Sequence, residues 1–415
     1  MSRRRVVITG LGCVTAPAES VDGLFSALLA GKSGISRIEH FDTSTFPVHI
    51  GGEIKQFDIG KYIDSREGKR MDLFSQYAIA AAIQAVEDSK LELGKEDLYR
   101  VGVIVGTGIG GIQEIEQQHI RLLEKGVRKV SPFTVPRLMA NAASGNIAIH
   151  YGLKGPNIAV TSACASGTHA IGEAFCNILA GRSDVMVTGG TEAALSPIGL
   201  SSFCAARSLS TRNDDPEGAS RPFDKGRDGF VMADGAAILV LEEYERAKGR
   251  GAPIYGELLG YGATDDGFHI TQPLPEGEGA AKAMEFALAD AGIGPEAIDY
   301  INAHGTGTEL NDLAESIAIK AVFGEHAYKL KVSSTKSCLG HSLGATGAIE
   351  LAICVKVIRE SAIPPTINLD NPDERCDLKI DYVPLKMKEA KVDIALSNSF
   401  GFGGHNACLV VGKVR

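Results

Sequence analysis

The chain has 415 residues, 44% of them hydrophobic and 22% charged, with 49 glycines. That length exceeds the size at which one hydrophobic core stops growing, so two packed halves or one large composite α/β unit are expected, and disorder is not. The formal net charge of −9, with basic residues scattered rather than gathered in a tail, argues against a nucleic-acid partner.

At the start, Arg3 to Arg5 lead straight into the strand-like Val6-Val7-Ile8-Thr9, which leaves no room for a secretory leader. No apolar run reaches the roughly 18 residues that a membrane helix needs. The eight cysteines contain no C-x-x-C pair and sit among small or apolar neighbours, as reduced thiols do. A cytoplasmic protein without a membrane partner is the expectation.

In chain order, Val101 to Val105 reads as a strand running into the glycine stretch 106–111. That stretch looks superficially like a nucleotide loop but lacks both G-x-G-x-x-G and a Lys-Ser/Thr ending. A βαβ unit follows: strand Asn157 to Thr161, turn Ser162 to Gly167, a helical stretch to Ala180 and strand Asp184 to Thr188. Cys164 lies at its strand-to-helix junction. The texture changes after Glu243, through Lys248 to Pro253, and a new strand pattern begins at Ile254. Residues 1–252 and 253–415 are therefore predicted as two halves, the first carrying Cys164 and the second two histidines. In the second, Tyr300 to Ala303 runs into His304-Gly305-Thr306-Gly307-Thr308, and Lys331 to Ser334 runs into a loop holding Lys336 and His341, then a helix through Val357. Chemistry in α/β sheets gathers at the carboxyl ends of strands, so Cys164, His304 and His341 are predicted to converge if the halves face one another.

A thiol at a helix N-terminus faces unpaired N–H groups and the positive end of the helix dipole, which favour the thiolate. Small neighbours around Cys164 admit a long substrate and free its own N–H for a thioester oxyanion. His341, expected at a helix start, and His304, at a strand end, would act as neutral N–H donors to an enolate. Lys336 reads equally as a surface lysine or, beside its glycine loop, as the buried partner of a carboxylate such as Glu350 or Asp312. The Cys and His candidates are isolated singletons without metal-ligand spacing, so a zinc site is not expected.

Taken together, these motifs resemble the condensing enzymes of the thiolase superfamily, and most closely the elongating beta-ketoacyl-acyl-carrier-protein synthases of the long-chain type II class. The likeness runs nearly end to end, through Val6–Gly12, Thr161–Gly167, Arg221–Asp224, Arg227–Phe230, Asn302–Thr308, Lys336–His341, Pro364–Asn368 and Asn398–Gly404. It implies a thiolase-like α/β fold, five-layered α-β-α-β-α from two pseudo-symmetric halves, assembled as a homodimer. It also implies decarboxylative condensation of an acyl chain on Cys164 with a malonyl unit, with acyl carrier protein as partner and no required cofactor beyond that partner's phosphopantetheine arm. By the same resemblance the N–H groups of Cys164 and Phe402 form an oxyanion hole, and Phe402 gates the site within a loop of Phe400, Gly401, Gly403 and Gly404. Ile109 floors the acyl pocket, Thr306 and Thr308 bind the phosphopantetheine arm, and Lys336 orients the site through Glu350. Asn302, Glu350, Asn398 and Ser399 are a candidate seat for Na+ or K+. Arg66, Lys69, Arg70, Arg128, Lys129 and Arg207 match the rim that meets the carrier protein.

The chain departs from the family pattern at several positions. Ala233 and Ala237 stand where glycine is expected, and His405 where threonine is frequent. Thr134 replaces an aromatic that in some relatives reaches across the dimer into the acyl pocket. A ketosynthase of type II polyketide assembly shares all these motifs and is the alternative reading. A chain-length-factor-like subunit would have lost the cysteine, and a degradative thiolase would carry a second one in place of the Phe400 to His405 loop.

Overall fold

The computed structural model describes residues 3–414. Each half lays down strands and helices in the order βαβαβαββ. The first half has strands Val6–Thr15, Val101–Gly106, Asn157–Val160, Val185–Glu192 and Gly235–Glu243; the second has Gly256–Asp265, Tyr300–Asn302, Lys331–Ser333, Ile394–Gly401 and His405–Gly412. Numbering the strands of each half from one to five, both sheets have the spatial order 1-5-4-2-3. In both, strands four, two and three pair in parallel, and strand five runs antiparallel to its neighbours one and four. The first strands pair antiparallel, Val6 opposite Leu258 and Ile8 opposite Gly256, so hydrogen bonding runs unbroken through ten strands.

Helices Ser166–Leu179 and Thr346–Glu360 pack on each other between the halves as the central layer. Helix Leu73–Ser89 covers the outer face of the first half, and Glu278–Ala291 with Glu309–Phe323 that of the second. The result is the expected α-β-α-β-α stack. The outer helices sit unusually close to the sheet because the sequence supplies glycines where they touch. A Cβ on Gly10 or Gly12 would fall 2.0 or 2.1 Å from carbonyls of Ala85 and Ala81, and one on Gly260 or Gly262 2.3 or 2.1 Å from those of Ala287 and Ala283. The same Gly-x-Gly against alanine device thus occurs in both halves.

Among the described residues no helix is long and apolar enough to cross a membrane. All eight cysteines are free thiols.

Candidate active site

Three loops deliver the site. Cys164 follows the third strand of the first half, His304 the second strand of the second half, and His341 the loop after that half's third strand. Ligating atoms of Cys164, His304 and His341 lie within 4.8 Å of one another, and the imidazole centroids are 5.3 Å apart. The predicted convergence is therefore present in the fold.

Cys164 sits at a sharp corner. Ala163 before it adopts φ +49, in the left-handed region that costs a non-glycine residue of order 1 kcal/mol. The corner is tied down by Ser166, whose hydroxyl accepts from the Ser162 N–H at 2.9 Å and donates to the Ala163 carbonyl at 2.6 Å. Helix Ser166–Leu179 begins just beyond it.

The expectation of a resting thiolate is corrected here. Although Cys164 is partly open to the pocket, burial of its sulfur pushes the thiol up to about 11; Lys336 and the N–H groups of Phe402 and Cys164 itself pull the other way without prevailing. Desolvation outweighs the helix terminus. Those two N–H groups point at the sulfur. Gly401 permits this, since a Cβ there would lie 3.0 Å from the Cys164 nitrogen.

His304 and His341 are buried, and both stay neutral: burial lowers each well below the ordinary imidazole range, and Lys336 adds to it. For His341 this replaces the expected cause, because it lies in the turn after helix Lys336–Leu339 rather than at a helix start. Its Nδ1 is 3.0 Å from the Thr346 hydroxyl, while Nε2 of His341 and Nδ1 of His304 have no hydrogen-bond partner among the described residues. Phe230 and Phe400 stand edge-on to His341 and His304 at centroid distances of 5.3 and 5.7 Å.

Lys336 Nζ donates to Glu350 Oε1 at 2.6 Å with both side chains buried. Asp312, the other candidate partner, is excluded: its carboxylate instead accepts from the Phe223 and Gly307 N–H groups and lies 3.7 Å from Arg227, bracing the Gly305–Thr308 loop. The ammonium beside the Cys-His-His cluster also opposes any metal cation there.

A cavity of about 530 Å³ opens over the sulfur. It is lined by apolar Ile109, Phe230, Leu343, Phe400 and Phe402 and by polar Arg207, Asp228, Thr306 and Thr308. The Thr306 and Thr308 hydroxyls are 2.9 Å apart. Gly403 and Gly404, at φ +87 and +83, turn the chain after Phe402, and the Gly403 N–H donates to Ile270. Thr134 opens helix Thr134–Leu138 and donates to the Ser131 carbonyl, outside this cavity. Of the six rim cations only Arg207 lines the cavity; Arg66 and Lys69 lie in and next to the short helix Ser65–Gly68, Arg70 sits over Phe133, and Arg128 and Lys129 lie in the turn Val127–Lys129.

Sequence reading missed several groups. Glu315, buried on helix Glu309–Phe323, accepts from the His304 and Gly305 N–H groups at 2.8 and 2.7 Å and so fixes the histidine's backbone. The glycine stretch 106–111 does cradle an anion, but an internal one, the carboxylate of Glu192. Its only sequence signal is an acid closing a Gly-Gly strand.

A thiol and two buried imidazoles drawn together on two pseudo-symmetric halves are the arrangement of a condensing enzyme of thiolase type. Residues 3–247 match the model of the beta-ketoacyl synthase N-terminal domain and residues 255–370 that of the C-terminal domain. The chain belongs to the beta-ketoacyl synthase family. It is 52% identical over 414 residues to 3-oxoacyl-[acyl-carrier-protein] synthase 2 of Coxiella burnetii, covering 100% of both chains. Over 415 residues it is 50% identical to the protein of the same name from Synechocystis, covering 100% of this chain and 99% of that one. Among solved structures it resembles an ishigamide ketosynthase/chain length factor (TM-score 0.93, 36% identity, 100% of both chains). A type II polyketide acyl-carrier protein in complex with its ketosynthase bound to the hexaketide is similar too (TM-score 0.92, 34% identity, 100% of both chains).

Proposed function

We propose that the chain is a 3-oxoacyl-[acyl-carrier-protein] synthase of the fatty-acid-elongating, class II kind. The observation that carries this is the Cys164, His304 and His341 cluster within 4.8 Å at the base of an apolar cavity. Its identity of about one half to synthases of that name, against 36% and 34% to the ketosynthase structures, favours fatty acid elongation over polyketide assembly.

In this reading the Cys164 sulfur attacks the thioester carbonyl of an acyl carrier protein. A new C–S bond forms, the carrier sulfur leaves, and it takes up the proton that the thiol gives up. The Cys164 and Phe402 N–H groups hold the oxyanion. Malonyl carrier protein then enters past Phe402. The bond to its carboxylate carbon breaks, carbon dioxide departs, and the electron pair remains as a thioester enolate hydrogen-bonded by His304 and His341. Neutral donors suit this, since an imidazolium would protonate the enolate. The enolate carbon attacks the acyl-Cys164 carbonyl and the sulfur is released and reprotonated.

Ile109 is assigned to the acyl pocket, Thr306 and Thr308 to the phosphopantetheine arm, Phe400 to Gly404 to the gate, and the halves to residues 1–252 and 253–415. The reading includes a homodimer. Strand Asn157–Val160 ends the sheet with an open edge, and Ile158 (48% exposed) and Ile149 (80%) leave apolar surface beside it, as an isologous contact requires. Thr134 would act there, with the six rim cations receiving the carrier protein. Free thiols throughout suit the cytoplasm. A monovalent cation at Asn302, Glu350, Asn398 and Ser399 is supported by Glu350 Oε2, buried without a hydrogen-bond partner among the described residues, and by the buried Asn302 side chain, which reaches at most Tyr300. The Ser399 hydroxyl and the Asn398 oxygen, bonded to Thr168 and Cys408, would lend spare lone pairs.

Incubation with acyl- and malonyl-carrier proteins tests the activity. A product two carbons longer, bearing a 3-oxo group and formed with one carbon dioxide, is expected; malonyl transfer without loss of carbon dioxide would refute it.

A further inference from the structure

The glycine loop after strand Val101–Gly106 and the loop that carries His341 belong to opposite halves, and they meet around one fully buried side chain, Glu192. Its Oε2 accepts from the Gly108 N–H at 2.7 Å and the Gly344 N–H at 3.0 Å; its Oε1 accepts from the Thr107 hydroxyl at 3.0 Å and the Ile109 N–H at 3.2 Å. The approach is so close that only glycine fits. A Cβ on Gly344 would lie 2.3 Å from the Gly108 nitrogen, and one on Gly108 2.8 Å from the carboxylate itself.

Among the described residues no ion pair reaches Glu192. Its charge is met by neutral donors converging from two segments, the arrangement of an anion nest. That makes the carboxylate a spacer as well as an anchor. Ile109, bonded to Oε1, and Leu343, next to Gly344, both line the cavity over Cys164, and His341 lies three residues before Gly344.

We propose that Glu192 is a positioning residue for the condensation: by tying Gly108 and Ile109 to Gly344 it sets the separation of the acyl-pocket wall from the His341 loop. A side chain that holds two walls of a reacting site has leverage, since a shift of about 1 Å in such a site can cost on the order of a hundredfold in rate. The activity arm of this inference rests on the synthase reading above; the structural arm does not.

Glu192→Gln is the direct test, because the amide keeps the volume but turns an NH2 toward N–H donors. Amide hydrogen exchange at Gly108, Ile109 and Gly344 is expected to accelerate by about tenfold or more, with the unfolding midpoint nearly kept. Condensation kcat is expected to fall by about tenfold, with kcat/KM across a chain-length series of acyl carrier proteins changing in shape as well as height. Thr107→Val, which removes one of the four donors, shifts the same readouts less, and Thr107→Ser restores them. Should Glu192→Gln fail to fold, the Thr107 pair decides alone. Unchanged exchange, or a loss of activity that tracks the folded fraction with an unaltered chain-length profile, would overturn the positioning role. If the wild-type protein forms no acyl-Cys164, the synthase reading fails instead, and the exchange comparison still decides whether Glu192 holds the loops.

Discussion

The Lys336 ammonium is 2.6 Å from the Glu350 carboxylate, both buried, and that single cation acts on His304, His341 and Cys164 together. It lowers both imidazoles and draws the thiol down against the opposing effect of burial. Burial is the larger influence on all three groups, and this one cation is the electrostatic influence they share.

Lys336→Met should uncouple that arrangement. Without the cation both imidazoles bind protons more readily, so the acid limb of the malonyl decarboxylation rate moves to higher pH. Glu350 is left buried and unpaired, at a cost of about 3–5 kcal/mol. Rate profiles between about pH 5 and 8, the range in which an imidazole ordinarily titrates, read the first effect and urea unfolding the second. An acid limb at its wild-type position would show that the histidines do not feel Lys336.

Gly401→Ala places a methyl 3.0 Å from both the Cys164 nitrogen and the Ser162 carbonyl. The strand must retreat from the nucleophile and take the Phe402 N–H with it. Acyl transfer to Cys164 should fall by about a hundredfold, the usual loss for one oxyanion donor, with little change in the unfolding midpoint. Stopped acylation followed by mass spectrometry measures it.

Asp234 makes stability depend on pH. Burial raises its carboxyl from 3.8 to about 8. A folded-state value above the unfolded one gives stability that is complete below the unfolded value and is lost as pH rises through the folded one, here between pH 3.8 and about 8. The loss is about 1.4 kcal/mol per pH unit for one proton. Asp234→Asn should remove this slope, so the difference in unfolding free energy between the two proteins should change steadily from pH 5 to 8; a constant difference would contradict the assignment.

Charge reversal at Arg66 or Arg70 should raise KM for acyl carrier protein several-fold, leave kcat alone and weaken the dependence of KM on salt. Steady-state kinetics across a salt series distinguish this from a general loss of activity, which would lower kcat.

The frame of the site is legible in the sequence because its parts are local. A β-branched run ending in glycine or a small residue marks where each strand stops; Cys164 and His304 lie just past such an end, and His341 one short helix beyond another. Their partners are less visible. Glu192, Glu315 and Thr346 act through backbone groups or rings brought close only by tertiary packing, so neither spacing nor composition singles them out. The thiolate expectation failed for a related reason: the helix start beside Cys164 is a local feature, whereas the walls that desolvate its sulfur are gathered from both halves by tertiary packing. Likewise, Lys336 allows a buried carboxylate partner, but only the fold chooses Glu350 over Asp312.

Intact-mass measurement after mixing the protein with acyl carrier protein, before and after adding malonyl carrier protein, bears most directly on Cys164 as the seat of the reaction. One acyl group should appear on Cys164, persist until malonyl carrier protein arrives and then leave as the elongated product, while Cys164→Ala takes up none. An adduct on another residue, or product formed by the Cys164→Ala protein, would contradict the account.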